Sequence, residues 1–290
     1  MPTNEQRREA ARRKLERQIV NRQVRAKRNR IIGVSSVVVV ALLVTGTVVF
    51  EPWKWFEPKL VSSGPCQYAK PKAEEGAPEP EKAAKDTGFD DGLPDDPEDT
   101  PKTGIVKATL KTSQGDIALN LDRSKAPCTV QSFLALAKAN YYNDSTCHRL
   151  VVSADMKILQ CGDPKGTGQG GPGYTIKDEL DGAKKLPELT GPEADQAKQA
   201  GKHLVNYTRG TLAMAKTAAP NSGGSQFFLV FGDTKLPDEY AVFGTVSEDG
   251  LKALDKIGAG GNAEGVDEST GGPKPAPKLT TKIEKVDIAA

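Results

Sequence analysis

Alternation of apolar and polar positions sets in after Gly104. "IVKATLKTS" (residues 105–113) alternates and predicts a strand, and "QGDIALNL" (114–121) predicts its hairpin partner, with Gly115-Asp116 near the turn. Helical spacing takes over in "APCTVQSFLALAKANYY", where Val130, Phe133, Leu134 and Leu136 recur on one face and Thr129 stands as a cap. "STCHRLVV" and "MKILQCGD" predict two short strands, followed by a glycine-rich loop and a polar insertion from Lys177 to His203. "GTLAMAK", "SQFFLVFG" and "YAVFGTV" predict further strands. "EDGLKALDKIGAG" predicts a second helix ended by glycine, and "KLTTKIEKVDIA" a last strand. Many short antiparallel strands with two helices imply a mainly β fold, a closed barrel.

The pattern upstream is different. Residues 51–103 open with the aromatics Trp53, Trp55 and Phe56 and continue as a Pro- and acid-rich stretch almost without apolar positions. Such composition cannot bury enough surface to offset its ordering entropy, so it reads as a spacer. Only "PCQY", around Cys66, has the character of a segment that packs on a domain. Residues 31–50 are an uncharged, valine-rich run of twenty. A helix of that length spans about 30 Å, one hydrocarbon thickness. Residues 1–30 hold eleven Lys or Arg against three Glu, and the remainder of the chain is acidic. The basic excess lies entirely before the apolar run, which predicts a single-pass signal anchor with a cytoplasmic N-terminus. Residues 104–290 then lie outside the cytoplasm. On this reading the basic tail is a topology signal, with the lipid bilayer as its partner, rather than a nucleic-acid site. Four cysteines in an oxidising compartment suggest disulfides: Cys66, Cys128, Cys147 and Cys161. No C-x-x-C occurs and the chain has two histidines, so no metal is implied.

The candidate chemistry centres on "NSGGSQFFLVFG", residues 221–232. Period two in a strand sends Gln226 and Phe228 to one face and Phe227 to the other. A buried amide needs partners. Gln226 therefore either pins its own turn or points into a cleft, where it would meet a peptide backbone, or water when empty. "GTGQGG" matches G-x-G-x-x-G through Gly166, Gly168 and Gly171, but Pro172-Gly173 follows where a phosphate-binding helix should start. Nucleotide binding is rejected, and no cofactor is implied.

"CHRL", "LQCGD", "GTGQGGPGY", "RGTLAMAK", "NSGGSQFFLVFG" and "YAVFGTV" occur in the order seen in cyclophilins, the cyclophilin-type peptidyl-prolyl isomerases. The chain resembles that family from about Val106 to Ile288, and with its anchor and spacer it looks like the membrane-anchored cyclophilins of actinobacteria. The resemblance implies an eight-stranded antiparallel barrel capped by two helices, with a cleft for an extended, proline-containing polypeptide. It implies that Arg149 is the catalytic arginine, with Gln160 as the glutamine on the next strand. Substrate-binding positions implied by the same match are Ile158, Met214, Ala215, Gln226, Phe228, Leu236 and Tyr240. Met214 and Ala215 match a strand that lies beside the substrate backbone. The residue before Arg149, His148, should face away from the cleft.

Several positions depart from the family pattern. Arg149 and Gln160 are eleven apart, three more than in the familiar short form, and the extra residues fall in "VVSADMK". Lys157 stands where an aromatic pocket residue is common, Lys216 where asparagine is frequent, and Tyr240 where many members have histidine. Lys235 replaces a tryptophan that supports cyclosporin binding, so weak inhibition is expected. Lys157 and the insertion leave open a binding or chaperone module with little catalysis. Cys147 and Cys161 flank the proposed catalytic hairpin, where antiparallel pairing brings Cα atoms within about 4.4–6.8 Å. They are expected to pair, leaving Cys66 with Cys128.

Overall fold

A computed structural model describes residues 64–70, 85–265 and 275–289. The predicted anchor, residues 31–50, and the basic tail before it lie outside the described residues. Among the described residues no helix is long and apolar enough to cross a membrane.

Eleven strands and three α-helices make up the described domain. The strands are β1 (Ile105–Thr112), β2 (Ile117–Asp122), β3 (Ser145–Thr146), β4 (Arg149–Val152), β5 (Lys157–Cys161) and β6 (Leu204–Tyr207). They continue as β7 (Thr211–Met214), β8 (Phe227–Gly232), β9 (Thr234–Pro237), β10 (Val242–Val246) and β11 (Lys282–Ile288). The helices are α1 (Pro127–Lys138), α2 (Pro192–Gln199) and α3 (Glu248–Gly260). Nine strands form one curled antiparallel sheet in the order β3-β11-β1-β2-β10-β7-β8-β5-β4, and β6 pairs with β9 in a separate ribbon.

This corrects the closed eight-stranded barrel with two helices expected from the sequence. The sheet is a half-barrel whose ends, β3 and β4, are joined by Cys147 and His148 alone. These two residues face opposite ways for hydrogen bonding. Cys147 N–H donates to Thr281 on the β11 side, and His148 N–H to Gln160 on the β5 side. The chain crosses the gap without a ladder. The added helix, α2, lies in the polar insertion and has no buried residue, so it carries no apolar period to read.

Burial follows period two where one face is wet. In β2, Ile117, Leu119 and Leu121 are buried and their neighbours half-buried. Strand β8 is buried on both faces, which is why "FFLVF" reads as a continuous apolar run. Phe227, Leu229 and Phe231 enter the main core beneath α1 and α3, while Phe228 and Val230 enter a second cluster on the opposite face. The main core is aromatic at its centre. Phe133 of α1 lies 5.1 Å from Tyr142, 5.5 Å from Phe227 and 5.7 Å from Phe243.

Helix α1 begins at Ala126 without a capping side chain of its own, and Thr129 is not the cap. Glu179, far along the chain, supplies it. Its carboxylate accepts the N–H of Cys128 at 3.0 Å and of Thr129 at 2.8 Å, together with the Thr129 hydroxyl at 2.8 Å. A carboxylate there satisfies orphan amides and the helix dipole at once.

The stretch read as a spacer is partly built into the domain. Cys66 is at disulfide distance from Cys128, with sulfurs 2.13 Å and Cα atoms 5.3 Å apart. Tyr68 is buried and donates to the Cys128 carbonyl at 3.0 Å. Phe89 and Leu93 rest against the main core. A few large side chains and one cysteine are enough to anchor a segment whose average composition is polar.

Candidate functional site

Four adjacent strands carry one transverse row of side chains. Register pairs Arg149 of β4 with Gln160 of β5, Gln160 with Phe228 of β8, and Phe228 with Ala213 of β7. Directly opposed residues project to the same face of an antiparallel sheet. Guanidinium, carboxamide and phenyl ring therefore stand side by side on the face away from the main core. The next pairs along, Val151 with Ile158 and Ile158 with Val230, extend that face as an apolar floor.

The β6–β9 ribbon walls this floor. Leu236 and Tyr240 pack against the cluster of Ile158, Ala213, Phe228 and Val230. Phe228 meets the Tyr240 ring edge-on at 5.5 Å and lies 6.1 Å from Tyr207. The Tyr207 hydroxyl donates to the Pro237 carbonyl at 3.0 Å, which satisfies its polar end and fixes the wall. Burial pushes the Tyr240 phenol up, Glu239 adds to the shift, and the Arg149 cation opposes it. The guanidinium charge thus reaches the aromatic wall of the pocket.

A chain of amides holds the row. Arg149 Nη1 donates to Gln160 Oε1 at 3.3 Å, and Gln160 Nε2 donates to Gln226 Oε1 at 2.9 Å. Gln226 Nε2 donates to the carbonyls of Gly168 and Gly170, both at 2.9 Å. Gln226 therefore does not pin its own turn, and it borders a cavity beside Gln160. Its carboxamide is spent on the glycine loop some sixty residues away in sequence. The loop is in turn organised by Asp163, which is fully buried. Its carboxylate accepts N–H groups from Lys165, Thr167, Gly168 and Gly170 and the Thr167 hydroxyl. Burial alone would raise this carboxyl, but those donors hold it below the usual aspartate range.

The family model "Cyclophilin type peptidyl-prolyl cis-trans isomerase/CLD" matches residues 107–288. The chain belongs to the cyclophilin-type peptidyl-prolyl cis-trans isomerases. A "probable peptidyl-prolyl cis-trans isomerase B" of Mycobacterium leprae is 39% identical, over 99% of this chain and all of that one. The protein of that name from Mycobacterium tuberculosis strain H37Rv is 40% identical over 78% of this chain, which spans 65% of that relative. A Helicobacter pylori isomerase is 40% identical over 55% of this chain and 84% of its own length. Among solved structures, a Cryptosporidium parvum cyclophilin covers 64% of this chain and 99% of its own, at 26% identity and a TM-score of 0.46.

Within this cyclophilin the candidate residues divide by face. Arg149, Gln160, Ile158, Phe228, Leu236 and Tyr240 converge on one face, with Ala215 at its margin. Met214 does not. It pairs with Phe227 across β7–β8 and is buried in the main core, so only its backbone can border a bound peptide. Lys157 opens β5. It pairs with Gly232 at a register shift, and a Cβ at Gly232 would come within 2.5 Å of Lys157 Cδ. Met156 packs against the Ile158–Phe228 cluster. A methionine of the lengthened hairpin thus borders the floor. The only sequence signal was the length of the hairpin. Ala213 and Tyr207, also missed, follow from the pairing of β7 with β8 and of β6 with β9.

Lys216 is 7% exposed and donates to the carbonyls of Thr217 at 3.3 Å and Ala219 at 3.1 Å. It closes the loop that carries the extra residue. Lys235 bridges Asp155 at 2.7 Å in the β4–β5 hairpin and Glu193 at 3.2 Å on α2. Three separate elements meet at that ammonium on the pocket's rim.

Cys147 and Cys161 are at disulfide distance, with Cα atoms 4.0 Å apart, and they bracket the Arg149–Gln160 pair. His148, between Cys147 and Arg149, is 9% exposed, and neither ring nitrogen has a hydrogen-bond partner. Its ring lies against Gly168, where φ is +80° and a Cβ would come within 3.0 Å of it. The histidine backs the glycine loop. Burial lowers its pKa, with Arg149 adding and Asp163 opposing. Among the described residues no His, Cys, Asp or Glu cluster could hold a metal ion.

Proposed function

We propose that the proline ring of an extended polypeptide sits on Phe228, between Ile158, Leu236 and Tyr240, with the Arg149 guanidinium beside its nitrogen. The observation that carries this reading is the row Arg149–Gln160–Phe228, which sets a cation next to an apolar hollow. Rotation about a peptide bond costs about 18–20 kcal/mol because resonance is lost at the twisted state. There the prolyl nitrogen becomes pyramidal and holds a lone pair. A guanidinium N–H donates to that lone pair, and the interaction strengthens only as resonance fades, which is the requirement for lowering the barrier. Gln160 and Gln226 hold the guanidinium in place beforehand, so little reorganisation is needed at the moment of rotation. The apolar hollow fixes the ring, and rotation falls on the residue before it.

The substrates on this reading are unfolded or extended polypeptides containing X-Pro bonds, and the activity assists their folding. Residues 31–50 anchor the chain in a bilayer, residues 1–30 stay cytoplasmic, and the isomerase domain works outside. The charge asymmetry and the four cysteines support that placement. A protease-coupled assay on an X-Pro peptide tests the catalytic reading. Arg149→Ala should lower kcat/KM by about 10²–10³, the usual cost of removing one preorganised donor. Equal rates for parent and variant would leave a peptide-binding module instead.

A further inference from the structure

The wall of the cleft beside Gln226 rests on a segment that lies outside the matched isomerase fold. A cavity of about 450 Å³ adjoins Gln160 and Gln226, bounded on one side by residues 172–175 and on the other by the Lys216–Gly224 loop. Residues 64–70 lie behind the first of these walls. Ala69 N–H donates to the Thr175 carbonyl at 3.2 Å, and Thr175 N–H returns to the Ala69 carbonyl at 2.7 Å. Ile176 N–H then donates to the Gly223 carbonyl at 2.8 Å, so the wall lies between two isolated bridges, with residues 64–70 as the outer member. That outer member is held at its base. Cys66 is bonded to Cys128 of α1, the Cys66 and Gln67 amides donate to the Asp96 carboxylate, and Tyr68 packs edge-on to Tyr174 at 5.5 Å. Tyr174 itself borders the cavity, and its hydroxyl pairs with Ser132 at 2.7 Å. The family match begins at residue 107, so none of residues 64–70 belongs to it.

We infer that residues 64–70, locked by the Cys66–Cys128 bond, are a positioning element for the peptide cleft and set its affinity for substrates that reach beyond the X-Pro pair. The inference rests on the proposed peptide site. A strap bonded to α1 at one end and to Thr175 at the other fixes the spacing between the wall and Gln226. Releasing it frees the wall but leaves the row Arg149–Gln160–Phe228 untouched, because that row is held by β4, β5 and β8 and by the glycine loop. The consequence falls on KM for long substrates, not on kcat.

The test uses the full chain with two independent variants. Cys66→Ser/Cys128→Ser removes the lock, and Ala69→Pro removes the N–H that Thr175 accepts while keeping the disulfide. With a minimal X-Pro peptide, both should match the parent within about twofold, and with one extended by three residues on each side KM should rise about fivefold, the scale of one or two lost hydrogen bonds. An equal loss on both peptides, or a fall in kcat with KM unchanged, overturns the inference. So does no change on either. Amide exchange at Ile176, which bonds Gly223 rather than the strap, is read in the same samples without turnover. It should quicken by about tenfold in both variants, as expected for a wall that opens locally. Unchanged exchange overturns the inference whether or not the parent isomerises anything, and an inactive parent with quickened exchange overturns the isomerase reading alone.

Discussion

Arg149 and Phe228 stand two strands apart in one cross-strand row, with Gln160 between them as the register partner of both. Gln160 is therefore a positioning residue for the guanidinium and a spacer between charge and hollow. Gln160→Leu keeps the volume and removes both amide bonds, to Arg149 and to Gln226. The expected result is a fall in kcat of about tenfold with KM little changed, because a misplaced donor loses transition-state stabilisation first. Steady-state kinetics that show KM rising alone would assign Gln160 to substrate binding instead.

Gln226 faces two carbonyls through its amide nitrogen, those of Gly168 and Gly170. Gln226→Glu is nearly isosteric and puts a carboxylate oxygen where those carbonyls need a donor. The expected cost is about 1–3 kcal/mol of stability from unsatisfied and repelling groups, read by urea denaturation. The loop should also exchange its amides faster, and both effects should shrink at acid pH as the new carboxyl gains a proton. A variant as stable as the parent would show that the glycine loop is held by Asp163 alone.

The row and the core were legible in the sequence because both follow period two. Phe228 and Gln226 could be placed on one face from spacing alone, and the continuous burial of β8 followed from its uninterrupted apolar run. Register could not be read that way. A register shift falls between Lys157 and Ile158, and no alternation pattern records a bulge. Partnerships between distant loops were equally hidden. Glu179 caps α1 and Gln226 holds Gly168 through contacts fifty or more residues apart. Helix α2 lacks a buried face, and the strap is held by Cys66 and Tyr68 within a polar stretch, so averaging over composition erased both.

A fragment of residues 104–290 should be less stable than one of residues 64–290. The shorter fragment lacks Cys66, Tyr68, Phe89 and Leu93, leaves Cys128 unpaired and uncovers Tyr174. Loss of a native disulfide in a small domain costs about 2–5 kcal/mol, and the lost apolar contacts add to it. Thermal unfolding of the two fragments checks this. Equal midpoints would mean that residues 64–103 add no net stability despite their contacts.

Acid should destabilise this cyclophilin in two stages. His148 has its pKa lowered by burial, so its contribution is complete above the ordinary histidine value of about 6.5. That contribution is lost as pH falls through the lower folded value, because the unfolded chain takes up the proton first. Asp163 also has a depressed pKa, the net result of its loop donors overcoming burial. Its contribution is complete above about 3.9 and is lost as pH falls through its folded value. The first stage loads a buried cation beside Arg149 and against Gly168, and the second removes the acceptor that organises the glycine loop. The melting temperature of the parent should therefore decline below about pH 6.5 and fall again below about pH 4. His148→Gln should flatten the first decline and leave the second, since glutamine does not titrate. Asp163→Asn should lower the melting temperature at neutral pH and flatten the second decline. A first decline that persists in His148→Gln would place its origin at another group.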